Sequence, residues 1–239
     1  MKKIEKTGSQ IIFTAEIDET IANSIRRYIN HIPVLAVDEV EISKNDSALY
    51  DETIAHRIGL IPLKMEGAVA KKPRKLKLDV KKEGTVYSRE LKGNPAVIYK
   101  NIPITLLNNN QELKLAATVK AGKGSEHSKF SPGLMFYRNV AEIIIDKEFY
   151  EEIRKVCPGT EILEKGDKII ITDNKKREIA DVCEGIANKN KKKAEINPTS
   201  ELIITVESFG QISVEGIFKK SMETLKKDLA SVAKEIKKI

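Results

Sequence analysis

Apolar residues occupy the alternate positions 11, 13, 15 and 17 near the start of the chain. This period of two predicts a strand. The acidic, cap-like run Asp18-Glu19-Thr20 comes next and favours the start of a helix. Apolar residues then recur at the spacing of one helical face, namely Ile21, Ile25, Tyr28, Ile29 and Ile32. The sequence therefore predicts a helix over residues 20–32 that Pro33 ends.

The next segment predicts a second strand and a short helix. The strand is predicted over residues 34–42, where Val40 and Ile42 alternate with Glu39 and Glu41. Asp51 is placed to cap a helix that runs to Ile58. Gly59 stands where a left-handed helix end is expected, and Pro62 follows within a few residues.

The middle of the chain predicts mainly strands, separated by segments rich in glycine, asparagine and proline. Alternation predicts strands at 76–80 and 113–119, and a buried strand lies within 139–149. From residue 151 the pattern changes to a short helix, a hairpin over 161–172 and a helix over 176–187. The class is therefore α+β.

The last part of the chain carries the clearest pattern. Residues 202–206 predict a strand, and Ser213 opens a long helix. Its apolar residues are spaced alternately by 4 and 3 positions, which is the heptad pattern of a helix that packs on another helix. The partner helix lies either in the same chain or in another subunit, and both interpretations stay open here. This seam consists of Phe218, Met222, Leu225, Leu229, Val232, Ile236 and Ile239.

Composition limits the classes of function that the chain could have. The chain has 239 residues, 41% of them hydrophobic, and a net charge of +7. No apolar run is long enough for a membrane helix, and no export signal opens the chain, so we expect a cytoplasmic protein. The charge keeps open an alternative function as a basic RNA- or ribosome-associated protein. The lysine-rich runs at 71–75 and 189–193 are typical of solvated loops, so specific nucleic-acid binding is not expected.

The sequence contains no motif of a known active site. Walker, Rossmann, zincin and nucleophile-elbow patterns are all absent. His31, His56 and His127 are scattered and do not have metal-site spacing. Cys157 and Cys183 do not complete a Cys₄ site. We therefore expect no catalytic residues in this chain and no metal.

Three stretches carry a family resemblance. Residues 23–27 (NSIRR) resemble the Asn-x-x-Arg-Arg helix of the RNA polymerase alpha-subunit family. Residues 37–42 with 55–63 (AHRIGLIPL) and residues 122–132 (GKGSEHSKFSP) are similar to the archaeal D-type and eukaryotic third-largest-subunit branch. The resemblance covers nearly the whole chain.

The resemblance implies a domain plan and a set of partners. A discontinuous dimerisation domain would comprise residues 1–42 and 196–239, with a mainly β insert domain at 43–150 and a ferredoxin-like remnant at 151–195. The implied function is a non-catalytic scaffold that pairs with subunit L and forms the platform for the large subunits B and A. Small subunits N and P are implied neighbours.

Residue roles follow from the same resemblance. It implies that Arg26 and Arg27 contact a large subunit, since the planar guanidinium group suits paired contacts to a carboxylate. The implied interface with subunit L comprises Ile21, Ile25, Tyr28, Ile29, Phe218, Met222, Leu225, Leu229, Val232 and Ile236. The remaining motif positions are structural or interface candidates: Asn23, His56, Arg57, Gly59, Pro62, Gly122, Lys123, Gly124 and His127.

One departure from the family concerns the remnant at 151–195. Many relatives carry an iron–sulfur cluster in this region, and each cubane needs four cysteines. Only Cys157 and Cys183 are present here. We therefore expect no 4Fe-4S cluster. The pair forms either a disulfide or two unlinked thiols, and the sequence leaves both open.

Overall fold

A computed structural model describes residues 2–65, 74–175 and 178–238. Residues 71–73 of the first lysine-rich run, the predicted helix start at 176 and the seam residue Ile239 lie outside the described residues. The helices, in chain order, are α1 (Glu19–Tyr28), α2 (Asp51–Gly59), α3 (Tyr150–Val156), α4 (Ala180–Lys189) and α5 (Val214–Ile236), with short 3-10 helices at Ile29–His31, Ser88–Glu90, Ser128–Phe130 and Lys147–Phe149. The strands are β1 (Lys2–Lys6), β2 (Gln10–Glu16), β3 (Val34–Asn45), β4 (Arg74–Val80), β5 (Gly84–Tyr87), β6 (Lys92–Gly93), β7 (Pro103–Leu107), β8 (Leu113–Gly122), β9 (Gly133–Asp146), β10 (Ile162–Lys165), β11 (Lys168–Asp173) and β12 (Glu195–Ser208). The predicted α+β class is confirmed.

The chain divides into two compact units. One comprises Met1–Ser24 and Met135–Val206, and the other comprises Ile25–Leu134 and Glu207–Ile239. These units divide the chain elsewhere than the predicted domains do. In particular, β9 pairs with β11 in the sheet of the first unit, although the prediction placed its residues in the insert. The three-domain plan stays a prediction about family modules.

The first unit is built on a six-stranded sheet with the order β1-β2-β12-β9-β11-β10. Isoleucines of β9 and β11 face α3 and α4 and form one apolar core with them. At the other end of the sheet, Ile12, Val140 and Ile203 form a smaller core. β1 was not predicted because its five residues contain one apolar side chain, Ile4, which packs on that smaller core.

The second unit contains a four-stranded sheet with the order β3-β8-β4-β6 and a separate β5–β7 hairpin. The alternation that predicted β4 and β8 also predicts their buried faces. Leu76 and Leu78 of β4 and Leu113, Leu115 and Ala117 of β8 are all buried. Helix α2 closes this core through Ile54 and Ile58.

Two details of α2 differ from the sequence prediction. Asp51 is not the N-cap, because Tyr50 precedes the helix with extended backbone and Asp51 is its first residue. The Asp51 carboxylate instead accepts a hydrogen bond from Asn45 Nδ2 at 2.8 Å. The left-handed helix end at Gly59 was also wrong, since Gly59 is the last helical residue and Leu60 follows with φ of −88° in the right-handed region. The helix thus ends without needing the conformational freedom of glycine.

The start signals of α1 and α5 are confirmed. Asp18 Oδ1 accepts the backbone N–H of Thr20 at 2.7 Å. A hydrogen bond from the Thr20 side chain and, to a smaller extent, the one from its backbone N–H lower the pKa of Asp18. Ser213 Oγ accepts the backbone N–H of Gly216 at 3.2 Å. Both contacts satisfy N–H groups that a helix leaves unpaired at its first turn.

Candidate protein interaction site

Helix α5 carries an uncovered apolar seam over its second half. The exposed fractions of Leu229, Val232 and Ile236 are 59%, 56% and 64%. Met222 is also exposed, while Phe218 is half-buried. Because these residues repeat at heptad spacing, they form one continuous stripe on a single face of the helix. An apolar stripe of this length is typical of a protein interaction surface.

The first half of α5 is anchored to its own chain. Val214, Ile217 and Ser221 are buried, and the helix packs against the 3-10 turn Ile29–His31. Tyr28, just before that turn, stacks on His31 with ring centroids 4.7 Å apart and lies beside the Asp228 carboxylate. Loss of solvent raises the pKa of Tyr28, and the neighbouring Asp228 carboxylate raises it further. Contacts within the chain therefore already cover part of the Tyr28 side chain.

Helix α1 has fewer free apolar residues than the heterodimer prediction assumed. Ile25 and Ile29 are buried within this chain, so they belong to its own core and are not uncovered contact residues. Ile21 is more than half exposed, and Arg26 and Arg27 are both exposed. A helical face that meets the chain's own core has the same periodicity as one that meets a partner, which is why sequence could not separate the two.

The motif at 122–132 folds around the end of the α1 segment. The backbone N–H of Ser125 donates to the Asn30 carbonyl at 3.0 Å, and Ser131 Oγ donates to Asn30 Oδ1 at 3.0 Å. A Cβ on Gly124 would lie 2.6 Å from Asn30 Oδ1. Gly124 is thus required for close approach. Lys123 is exposed, and its carbonyl accepts two N–H groups of the turn that follows.

Gly122 and the Lys129 ion pair hold the rest of this motif in place. A Cβ on Gly122 would lie 2.6–2.7 Å from atoms of the buried Phe130 ring. Lys129 Nζ contacts Asp38 Oδ1 at 2.9 Å, and Lys120 Nζ lies 3.6 Å from the other Asp38 oxygen. The hydrogen bond from Lys129 lowers the pKa of Asp38. The ion pair joins the 122–132 motif to strand β3.

Residues from the predicted motifs meet at one shallow cleft of about 220 Å³. Its lining includes His56 and Gly59 of α2 and His127 of the 122–132 motif. His127 Nδ1 accepts the backbone N–H of Lys129 at 3.1 Å. Pro62 lines a neighbouring cleft of about 340 Å³ with exposed Tyr99 and Phe209. Two of the three resembling stretches, 37–42 with 55–63 and 122–132, thus share one surface region.

Arg57 and Asn23 have local roles. Arg57 Nη2 donates to the Pro103 carbonyl at 2.6 Å and ties α2 to β7. Asn23 is half-buried on α1 and interacts within the chain. The exposed aromatic residues Tyr99 and Phe209 were not predicted as surface residues. Neither belongs to a periodic run, so the sequence pattern contained no signal for their exposure.

The two cysteines lie in the apolar core beside α3 and α4. Both are buried free thiols in one cluster with residues such as Ile153 and Ile169. Burial raises the pKa of Cys183 to about 11, and nearby Cys157 and Asp173 add to the effect. A cluster ligand must be a thiolate, so this environment opposes the required form. Over residues 2–65, 74–175 and 178–238, no group of three His, Cys, Asp or Glu side chains is arranged to hold a metal. These residues do not fit an iron–sulfur cluster.

A buried ion pair organises the region that contains the cysteines. Arg138 donates to both oxygens of Asp173, at 3.0 and 2.9 Å, and Asp173 also accepts the backbone N–H of Ile179 at 3.2 Å. Asp173 is buried. The contact joins β9, β11 and the start of α4.

Across the described part of the chain, each helix is too short or too polar to cross a bilayer.

Comparison with known proteins gives a consistent result. Residues 40–136 match the family described as the RNA polymerase Rpb3/RpoA insert domain. The chain is 33% identical to DNA-directed RNA polymerase subunit Rpo3 of Thermococcus kodakarensis, over 94% of this chain and 92% of that protein. It is 32% identical to the Pyrococcus furiosus protein of the same name, over 99% and 96%. The Methanocaldococcus jannaschii protein of that name is 35% identical over 71% and 88%.

Proposed function

The chain belongs to the Rpo3 family of archaeal DNA-directed RNA polymerase subunits, and from this premise we propose that it is a non-catalytic assembly subunit of that enzyme. It pairs with the smaller subunit L in the cytoplasm. The pair then forms the platform on which the large subunits B and A assemble, with small subunits N and P bound nearby. Nucleotidyl transfer takes place in the large subunits.

The uncovered seam of α5 is the observation that carries this proposal. Burying an apolar side chain fully contributes about 1.5–3 kcal/mol. Leu229, Val232 and Ile236 each have more than half of their surface left to bury, so together they supply about 3–5 kcal/mol. Association costs about 4–15 kcal/mol in lost freedom of motion. A stable complex therefore requires Met222, the rest of the seam and a matching apolar face on subunit L.

The proposed heterodimer contacts follow from the exposure of each residue. The seam of α5 supplies most of them, together with Ile21 and the free part of Tyr28. Ile25 and Ile29 support this face from inside the chain. Arg26 and Arg27 remain proposed contacts to a large subunit, since both are exposed on α1. The dimerisation domain proposed for this role comprises residues 1–42 and 196–239.

We also propose that the ferredoxin-like remnant at 151–195 folds without a cofactor. Its core is apolar and includes Cys157 and Cys183 as small hydrophobic residues. The Arg138–Asp173 pair supplies a polar connection between this remnant and strand β9. Anaerobic purification should give a colourless protein with two free thiols after unfolding. Stoichiometric iron and sulfide would contradict this part of the proposal.

Co-expression with subunit L tests the main proposal. We expect a one-to-one complex by size-exclusion chromatography with light scattering. The double change Leu229→Asp and Val232→Asp should abolish it, because it places two charges in the seam. Ala230→Asp is the matched control, since Ala230 is exposed on the same helix outside the seam. A wild-type chain that stays monomeric beside subunit L at micromolar concentration would refute the proposal.

An RNA-binding experiment with the purified chain alone tests the alternative function as an RNA- or ribosome-associated protein. That function requires RNA affinity of the isolated chain that falls steeply with salt. A filter-binding titration of the chain alone, at two salt concentrations, measures it. We expect no specific RNA binding.

A further inference from the structure

The seam of α5 has different charges along its two edges. Lys219 and Lys226 each follow a seam residue directly, and we call this pair the lysine flank. Asp228 and Glu235 each precede a seam residue directly, and we call this pair the carboxylate flank. In a heptad helix, the residues before and after the seam lie on its opposite sides. The two flanks therefore border opposite edges of the apolar stripe.

The carboxylate flank begins at the chain's own core. Ser221, one heptad before Asp228, is buried, and the Asp228 carboxylate lies beside Tyr28. Asp228 and Glu235 are themselves exposed. Glu235 Oε1 contacts Lys238 Nζ at 2.7 Å, but both side chains are mostly exposed, so this pair contributes little. The carboxylate flank thus lies on the edge of the seam where the first half of α5 packs on its own chain.

The lysine flank faces solvent. Lys219 lies 3.9 Å from Glu223, and both side chains are mostly exposed, so this pair contributes little. Lys226 is exposed and makes no ion pair with the described residues. Lys220, Lys227 and Lys234 lie further round the helix and add positive charge. A partner on the seam therefore meets a positive edge.

We infer that the helix of subunit L that covers this seam carries carboxylates along the edge that meets Lys219 and Lys226. This inference rests on the proposed function and specifies the chemistry of the partner. Complementary charge at the edge of an interface accelerates association and selects against wrong partners. The apolar seam supplies affinity, and the lysine flank determines which partner the seam binds.

A second copy of this chain fits the seam poorly. In an antiparallel pair of identical helices, the lysine flank meets the lysine flank of the other copy. In a parallel, in-register pair, Lys219 and Lys226 lie opposite Val214 and Ser221 of the other copy, and both of these residues are buried within that copy. Either arrangement leaves the lysines unpaired at the edge of an apolar contact. The charge pattern thus disfavours a homodimer.

Reversing the lysine flank tests the inference. The double variant Lys219→Glu, Lys226→Glu is compared with the wild-type chain in its association rate with purified subunit L. At low salt we expect a decrease of at least about tenfold, since steering by charge changes association rates over this range. At about 0.5 M salt the two rates should converge, because salt screens exposed charges. Circular dichroism confirms that the variant remains helical.

Lys227→Glu with Lys234→Glu is the matched control, because it changes net charge equally on the outer face of the same helix. We expect its association rate to change by less than about threefold. Equal rates for wild type and the Lys219/Lys226 variant at low salt would overturn the inference while leaving the complex itself intact. A homodimer of the wild-type chain alone would also overturn it. Absence of any wild-type complex would instead refute the proposed function.

Discussion

Replacing Asp173 by alanine should destabilise the unit that contains the cysteines. The exposed fraction of the Asp173 side chain is 1%, and that of its partner Arg138 is 23%. Removing one member of a buried pair costs about 3–5 kcal/mol, and the partial exposure of Arg138 places this case near the lower end. The backbone N–H of Ile179 also loses its acceptor, at about 1 kcal/mol. We therefore expect the free energy of unfolding to fall by about 3–4 kcal/mol in a urea titration.

Two measurements separate a lost ion pair from general damage. Hydrogen exchange of the Ile179 amide should accelerate more than exchange in β3 and β8, because the effect is local. The double variant Arg138→Met, Asp173→Leu removes both charges together. It should lose less stability than Asp173→Ala, since no buried charge remains unpaired. A loss below about 1 kcal/mol for Asp173→Ala would refute the reasoning.

Three further substitutions should change the free energy of unfolding: one lowers it, one raises it, and one changes how it depends on pH. Gly124→Ala places a Cβ 2.6 Å from Asn30 Oδ1 and should lower the free energy of unfolding by about 1–3 kcal/mol in urea titration. Gly185→Ala, inside α4 with nothing within 4 Å of the added Cβ, should raise it by about 0.5–1 kcal/mol in the same assay. The pKa of Cys183 is raised from 9.0 to about 11, so the folded state retains a proton that the unfolded state releases. Stability should thus be complete below pH 9.0 and fall as pH rises towards about 11, and Cys183→Ala should flatten this decline in unfolding curves measured across that range.

Long periodic segments were predictable because one of their faces meets a core. The helix predicted from Ser213 begins at Val214, and the strand predicted over 113–119 lies within Leu113–Gly122. Short strands lacked this signal. β1 has a single apolar residue, and β5 and β7 have four and five residues. Strands of this length are fixed by pairing with other strands, which local sequence does not specify.

The candidate site was predictable only in part. The heptad spacing located the seam on α5, and the structure leaves its second half uncovered. The heptad spacing could not show that Ile25 and Ile29 lie in the chain's own core. Their burial depends on how the helices pack around the 3-10 turn Ile29–His31. The sequence likewise could not determine whether Cys157 and Cys183 form a disulfide or remain free thiols. Their burial as free thiols follows from how α3 and α4 pack on β9 and β11.

The strand order of the first unit determines when its sheet can be completed during synthesis. β12, made from residues 195–208, lies between β2 and β9, which are translated long before it. The hairpin of β1 and β2 therefore waits for most of the polypeptide before it can join the sheet, and such distant pairings form slowly. Helix α5 leaves the ribosome directly after β12. A nascent chain therefore exposes the apolar seam of α5 only after the strand that completes the sheet has been synthesised.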